Sequence, residues 1–162
     1  METREWRFRD KTLWPCGPWQ SEPDKRQWAD EATGLPCLIV RGPHGALCGY
    51  VGVPEGHPLY RSGYNDAGAI DAHGGLTYAG FCSPGEPEHG ICHIAGPDDE
   101  QKPWWLGFDC AHVGDYCPSY EDIRDLGMPT GWGCDVSYRD VVYVADWCAK
   151  IAAQLAAISA RS

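Results

Sequence analysis

A chain of 162 residues with 43% hydrophobic and 22% charged residues has the size and composition of one globular domain with a substantial core. Its formal net charge of −10, from 23 acidic and 13 basic residues, excludes the basic surface that displaces counterions from DNA or RNA, so no nucleic acid is expected as a partner. The charged start METREWRFRDK has no apolar leader core, and the aliphatic runs are short, so no membrane span is expected. The nine cysteines are odd in number and lack C-x-x-C spacing; they read as reduced thiols of a cytoplasmic protein.

In chain order, residues 1–20 carry Trp6, Phe8, Trp14 and Trp19 among charges and read as an arm packed on the domain, because such rings are costly to leave wet. Residues 21–162 form a single α+β domain on this reading. SEPDKRQWADEATGLP predicts a short helix, with Ser21 as cap, Pro23 in the first turn, and Gly34 and Pro36 as stop. Cys37 to Arg41 and Ala46 to Val53 predict a hairpin around GPHG, with Gly49 and Gly52 marking a bulge or a close approach. A loop follows over 54–68. AIDAHGGLTYAGFC predicts two short strands around Gly74-Gly75, then an acidic, turn-rich connection over 83–90. ICHIA and WWLGFDCAH predict two more strands, and 116–134 reads mostly as loop. From Tyr138 to about Ala160, Val141, Val144, Cys148, Ile151, Leu155 and Ile158 repeat at three and four residues, one stripe of an amphipathic helix. Ser137 with Asp140 suggests its cap. The expected fold is a mainly antiparallel sheet with this C-terminal helix on one face.

The candidate site comes from two strand ends. Alternation along WWLGFDC puts Trp104, Leu106, Phe108 and Cys110 on one face and Trp105, Gly107 and Asp109 on the other, with space expected above Gly107. Alternation along AIDAHGG pairs Asp71 with His73. If these segments are neighbours, Asp71, His73, Asp109, His112 and Asp115 converge. Such donors suit a divalent metal that activates water for hydrolysis. A non-catalytic reading needs no cofactor. His73, the Gly74 and Gly75 amides and Thr77 then hold polar ligand groups, Asp109 and His112 orient the ligand, and Tyr50, Tyr78 or Trp105 stacks on a base. The plain structural alternative is that Asp109 and Asp115 close turns while the histidines bond backbone.

Between Ser62 and Ile123 the only basic side chain is Lys102, against eleven carboxylates. An anionic ligand there needs backbone N–H groups, a bridging cation or an arginine from elsewhere. Arg41 and Arg61 are the expected phosphate clamps, with Tyr60 and Tyr64 placed beside Arg61 as in a lid. No G-x-S-x-G elbow, Walker loop or H-E-x-x-H motif is present. Cys82, Cys92 beside His93, and Cys110 near His112 are the thiols that could serve as nucleophiles.

GALCGYVGVPEGHPLY, HGGLTYAG, WWLGFDCAHVGD and YRDVVYVADWCAKIAAQLA, in this order, resemble a family of small proteins often encoded in bacteriophage genomes. The resemblance spans roughly residues 24–156 and implies a phage origin without transferring catalytic residues. Phage accessory proteins of this size include sponges that sequester nucleotide immune messengers and enzymes that destroy them. By that analogy the chain is expected to bind and sequester a small nucleotide-derived host signal, with homo-oligomerisation left open. The alternatives are a divalent-metal hydrolase of a phosphate ester or cyclic nucleotide, and an acidic inhibitor that binds a host protein.

Overall fold

The computed structural model describes residues 3–81, 90–91, 102–112, 114–120 and 137–161. The strands β1 (Arg4–Trp6), β2 (Lys25–Ala29), β3 (Pro36–Arg41), β4 (Leu47–Val53), β5 (Tyr78–Gly80) and β6 (Trp104–Asp109) are followed by a helix, α1 (Val141–Arg161). They form one six-stranded sheet in the order β1-β2-β3-β4-β6-β5, with every neighbouring pair antiparallel. The fold is α+β, with the helix packed on the sheet.

Alternation along the three central strands sorts their side chains into two layers. Cys37, Ile39, Leu47, Val51, Leu106 and Phe108 face α1 and meet its buried stripe of Val144, Cys148, Ile151 and Leu155. Each such aliphatic side chain contributes about 1.5–3 kcal/mol by leaving water. Leu38, Val40, Tyr50 and Trp105 make a second core on the opposite face, with Phe8 packed against it. Both faces are therefore covered, one by the helix and one partly by the N-terminal arm. The helix segment Val141–Ser159 is long and apolar enough, by length and composition, to cross a membrane. Here its apolar stripe is spent inside the core.

The glycines of the hairpin mark close approach. A Cβ on Gly49 would lie 2.6 Å from the Phe108 ring and 2.9 Å from Val144, so glycine lets α1 settle onto β4. The space expected above Gly107 is filled: Tyr50 is its cross-strand partner, and its ring lies where a Cβ would stand. Bulky aromatics often cover a glycine in this way.

Two sequence expectations are corrected here. The helix over 21–34 does not form. Lys25–Ala29 is a strand, with Lys25 and Gln27 buried on one side and Trp28 packed against the helix-side core on the other. Pairing with β1 and β3 at once outweighs the local helix signals. Gly34, at φ +74°, does end a turn, but the turn joins β2 to β3: its N–H donates to the Asp30 carbonyl, and Asp30 Oδ2 accepts from Thr33. Likewise only β5 forms from AIDAHGGLTYAGFC. The Asp71 N–H and C=O bond the Gln154 amide on α1 rather than a neighbouring strand. The strand expected at ICHIA, most of the 83–90 connection and residues 121–136 lie outside the described residues.

The helix begins as its stripe predicts, but with a different cap. Asp140 Oδ1 accepts the Tyr143 N–H at 2.8 Å, making Asp140 the N-cap, while Ser137 bridges to Asp115. A second acceptor reaches this end from far away: Glu22 Oε2 takes the Val141 N–H at 2.8 Å, and Glu22 Oε1 takes the Tyr138 O–H at 2.6 Å. Lower down, His57 Nδ1 accepts the Leu59 N–H and its Nε2–H donates to the Leu155 carbonyl, pinning the 54–60 loop to α1.

Arg41 and Asp24 anchor the arm. Asp24 Oδ2 accepts the Phe8 and Arg9 N–H groups, and Oδ1 meets Lys11 Nζ and Arg41 Nε, both at 2.8 Å. Burial pushes the Asp24 pKa upward, but Lys11, the Arg9 and Phe8 amides and Arg41 together hold it below the ordinary carboxylate value. A carboxylate lowered on folding contributes stability that is fully present above its unfolded pKa, near 4, and lost as pH falls through its folded value. Acidification through and below about pH 4 is therefore expected to loosen the arm. The melting temperature of the wild type should fall across that window more steeply than that of Asp24→Asn. Equal slopes would place the acid sensitivity elsewhere.

Candidate functional site

The loop after Ile70 hangs on α1 at two points. Gln154 holds the Asp71 backbone, and Tyr143 Oη meets His73 Nδ1 at 2.7 Å. Ile70 and Ala72 point into the core between these ties, which turns His73 toward the end of β6. There the chain leaves β6 and folds a turn in which the Asp115 N–H donates to the His112 carbonyl. The Ser137 N–H donates to the Gly114 carbonyl and the Tyr116 N–H to the Ser137 carbonyl, which brings the entry of α1 alongside.

Asp115 is the centre. Its carboxylate is only 2% exposed and accepts from His73 Nε2 at 2.8 Å, Arg139 Nε at 3.0 Å and the His112 N–H at 3.0 Å. Burial works to raise its pKa, but those three hydrogen bonds prevail and hold it below the ordinary carboxylate value. A carboxylate can only accept, so in the neutral imidazole His73 Nε2–H donates to Asp115 and Nδ1 accepts the Tyr143 O–H. Arg139 is fixed in turn: its guanidinium carbon lies 4.8 Å from the Tyr143 ring centroid, and the hydrogen bond to Asp115 raises its pKa further. Its two Nη groups have no hydrogen-bond partner among the described residues.

His112 stands beside this network without joining it fully. Its Nδ1 is a buried atom with no hydrogen bond, 3.5 Å from both Asp109 Oδ1 and Asp115 Oδ2. Gly74, at φ +68°, permits the approach, because a Cβ there would run into the His112 ring. Asp109, 35% exposed, accepts the Ala111 N–H and the Thr77 O–H. The donor atoms of His73, His112 and Asp115 all lie within 4.8 Å of one another, a group that could hold a metal ion.

Of the residues expected at the site, His73, His112 and Asp115 meet, Gly74 and Asp109 touch His112, and Thr77 touches Asp109. Others lie elsewhere. The Asp71 carboxylate is exposed and takes no part in the cluster; its backbone is what the fold uses. The Gly75 N–H, expected to face a ligand, donates to the Ala72 carbonyl. Arg41 is fully buried, with bonds to Asp24, Pro23, Gly45 and Tyr138, and cannot clamp a phosphate. Arg61 stacks over Tyr60 and Phe81, and Phe81 lies against Trp104, at the opposite end of β6 from Asp109. Trp105 and Tyr50 belong to the second core and present no free face for a base. Tyr78 is part-exposed, edge-on to Tyr50, with its O–H donating to the Phe81 carbonyl.

Sequence reasoning passed over Arg139 and Tyr143. The signal was there: an acidic stretch needs an arginine from outside it, and Asp140 as N-cap puts Arg139 and Tyr143 on either side of the helix start. The thiol reading is corrected at Cys110. Burial, then Asp115, raises its pKa far above neutrality, so it is no thiolate beside His112. Cys82 and Cys92 lie outside the described residues. Comparison with protein-family models, with curated proteins and with solved structures finds no match to this chain.

Proposed function

We propose that the chain is a phage accessory protein that binds and sequesters a small anionic ligand, a nucleotide-derived host signal, at the mouth formed by His112, Arg139, Asp109 and Thr77. The observation that carries this reading is Arg139. Asp115 holds it through Nε and Tyr143 lies beneath it, while its Nη pair keeps the fork that suits a phosphate. His112, 34% exposed, adds an imidazole whose Nδ1 makes no hydrogen bond among the described residues. Asp109, already oriented by Thr77 and Ala111, keeps outward lone pairs for a ligand hydroxyl such as a ribose. Tyr78, part-exposed beside Thr77 in sequence, offers a ring for a base. The nucleotide class rests on the analogy with phage accessory proteins that act on nucleotide immune messengers.

Hydrolysis is the second reading, favoured by one specific observation: the clustered His73, His112 and Asp115 donors, which suit a metal-activated water. One experiment separates the two. The protein is incubated with a panel of linear and cyclic nucleotides, filtered, and denatured to release what it holds. Intact nucleotide recovered from wild type, and lost from His112→Ala with the melt changed by less than about 1 kcal/mol, is the expected result. Altered nucleotide would transfer the assignment to hydrolysis, and no retention of any panel member would remove the sequestration reading.

A further inference from the structure

We infer that His73 Nε2, His112 Nδ1 and Asp115 Oδ2 form a three-donor binding site for a divalent first-row transition-metal ion of the zinc class, with a fourth position open to water or a ligand. The inference stands on donor geometry and holds whether or not a nucleotide is retained.

Ligands around a tetrahedral zinc-class ion, each about 2.0–2.1 Å from it, lie roughly 3.4 Å apart. His112 Nδ1 stands 3.5 Å from Asp115 Oδ2, which matches that spacing, and the His73 donor lies within 4.8 Å of both. The same nitrogen is buried yet makes no hydrogen bond, the condition of an atom awaiting a partner. His73 Nε2 and Asp115 Oδ2, now 2.8 Å apart, share a proton that the metal would replace, and the pair would need to separate by about half an ångström. With Nε2 on the metal, Nδ1–H donates to Tyr143 Oη, which gives up its donor role and becomes acceptor on the same contact.

Outer partners are already in place. Tyr143 orients His73, while Arg139 and the His112 N–H orient Asp115, as supporting hydrogen bonds orient ligands in metal sites generally. Two imidazoles and carboxylate oxygens select zinc, manganese, iron(II) or cobalt over magnesium or calcium, which prefer oxygen alone. The bound cation would also offset the negative charge of Asp115 and its neighbour Asp109, adding to Arg139 as a counter-charge for an anion.

The test is titration of the metal-stripped full chain with Co²⁺ alone, followed by visible absorption and by dialysis with metal analysis. A single Co²⁺ per chain is expected, displaced by Zn²⁺ and without the near-ultraviolet charge-transfer band of thiolate ligation. Asp71→Asn should bind as wild type does. His112→Ala should weaken binding by roughly tenfold or more with an unchanged melt, because His112 Nδ1 gives the fold no hydrogen bond. No retained cobalt, a thiolate band, or equal binding by His112→Ala would each overturn the assignment. Nucleotide retention plays no part in this readout, so failure here and failure of sequestration are separate results.

Discussion

Arg41→Ala is expected to lower the unfolding free energy by about 3–5 kcal/mol, the cost of removing one partner from a buried charge network. Truncation leaves Asp24 without one of its two cationic partners and strips donors from the Gly45 and Pro23 carbonyls and from Tyr138 Oη. Glu22 loses its neighbour as well, and Glu22 is the second acceptor at the start of α1, beside the Asp140 cap. The damage should therefore spread from the arm to the helix start. Urea denaturation gives the energy, and hydrogen exchange at Phe8, Arg9 and Val141 gives its location. A loss below about 1 kcal/mol would mean that Arg41 is a solvated surface residue, the state in which a phosphate clamp would have made sense.

Asp115→Ala is expected to cost about 2–3 kcal/mol and to abolish both metal and ligand binding. Three hydrogen-bond donors converge on this nearly solvent-free carboxylate, and bonds to a charged group are each worth more than neutral ones. The contrast with His112→Ala is informative. One variant should lose stability and binding together, the other binding alone. Denaturation and cobalt titration on the two proteins side by side give the comparison. If His112→Ala proved as destabilising as Asp115→Ala, the imidazole would be a structural group and the site would lose a donor.

How much of this was legible in the sequence depends on the distance over which each residue is satisfied. The GPHG hairpin, the alternation of β6 and the stripe of α1 follow from local periodicity, because burial on one face needs only a period of two or about 3.6. KRQWA was misread because its strand character comes from partners on both sides, Arg4–Trp6 and Pro36–Val40, and its own residues are good helix formers. Arg41 ends a strand in the manner of a surface residue; its burial comes from partners remote in sequence, Pro23 and Asp24 on one side and Tyr138 on the other. At the site, His73 and Asp115 could be suggested as neighbours from strand ends. Asp71 could not be dismissed that way, since its backbone is held by Gln154, 83 residues on. Tyr50 over Gly107 is a matter of register, which alternation alone does not give.

The Glu22 contact with Val141 spans 119 positions and joins the segment just before β2 to the first turn of α1. Because α1 follows every strand, a growing chain presents Ile39, Val51, Leu106 and Phe108 to water until the helix has been made. Native closure is then a late event that waits on contacts remote in sequence, and such topologies fold slowly. A ribosome-bound intermediate of this protein is a sheet with one bare greasy side, the kind of species that chaperones capture.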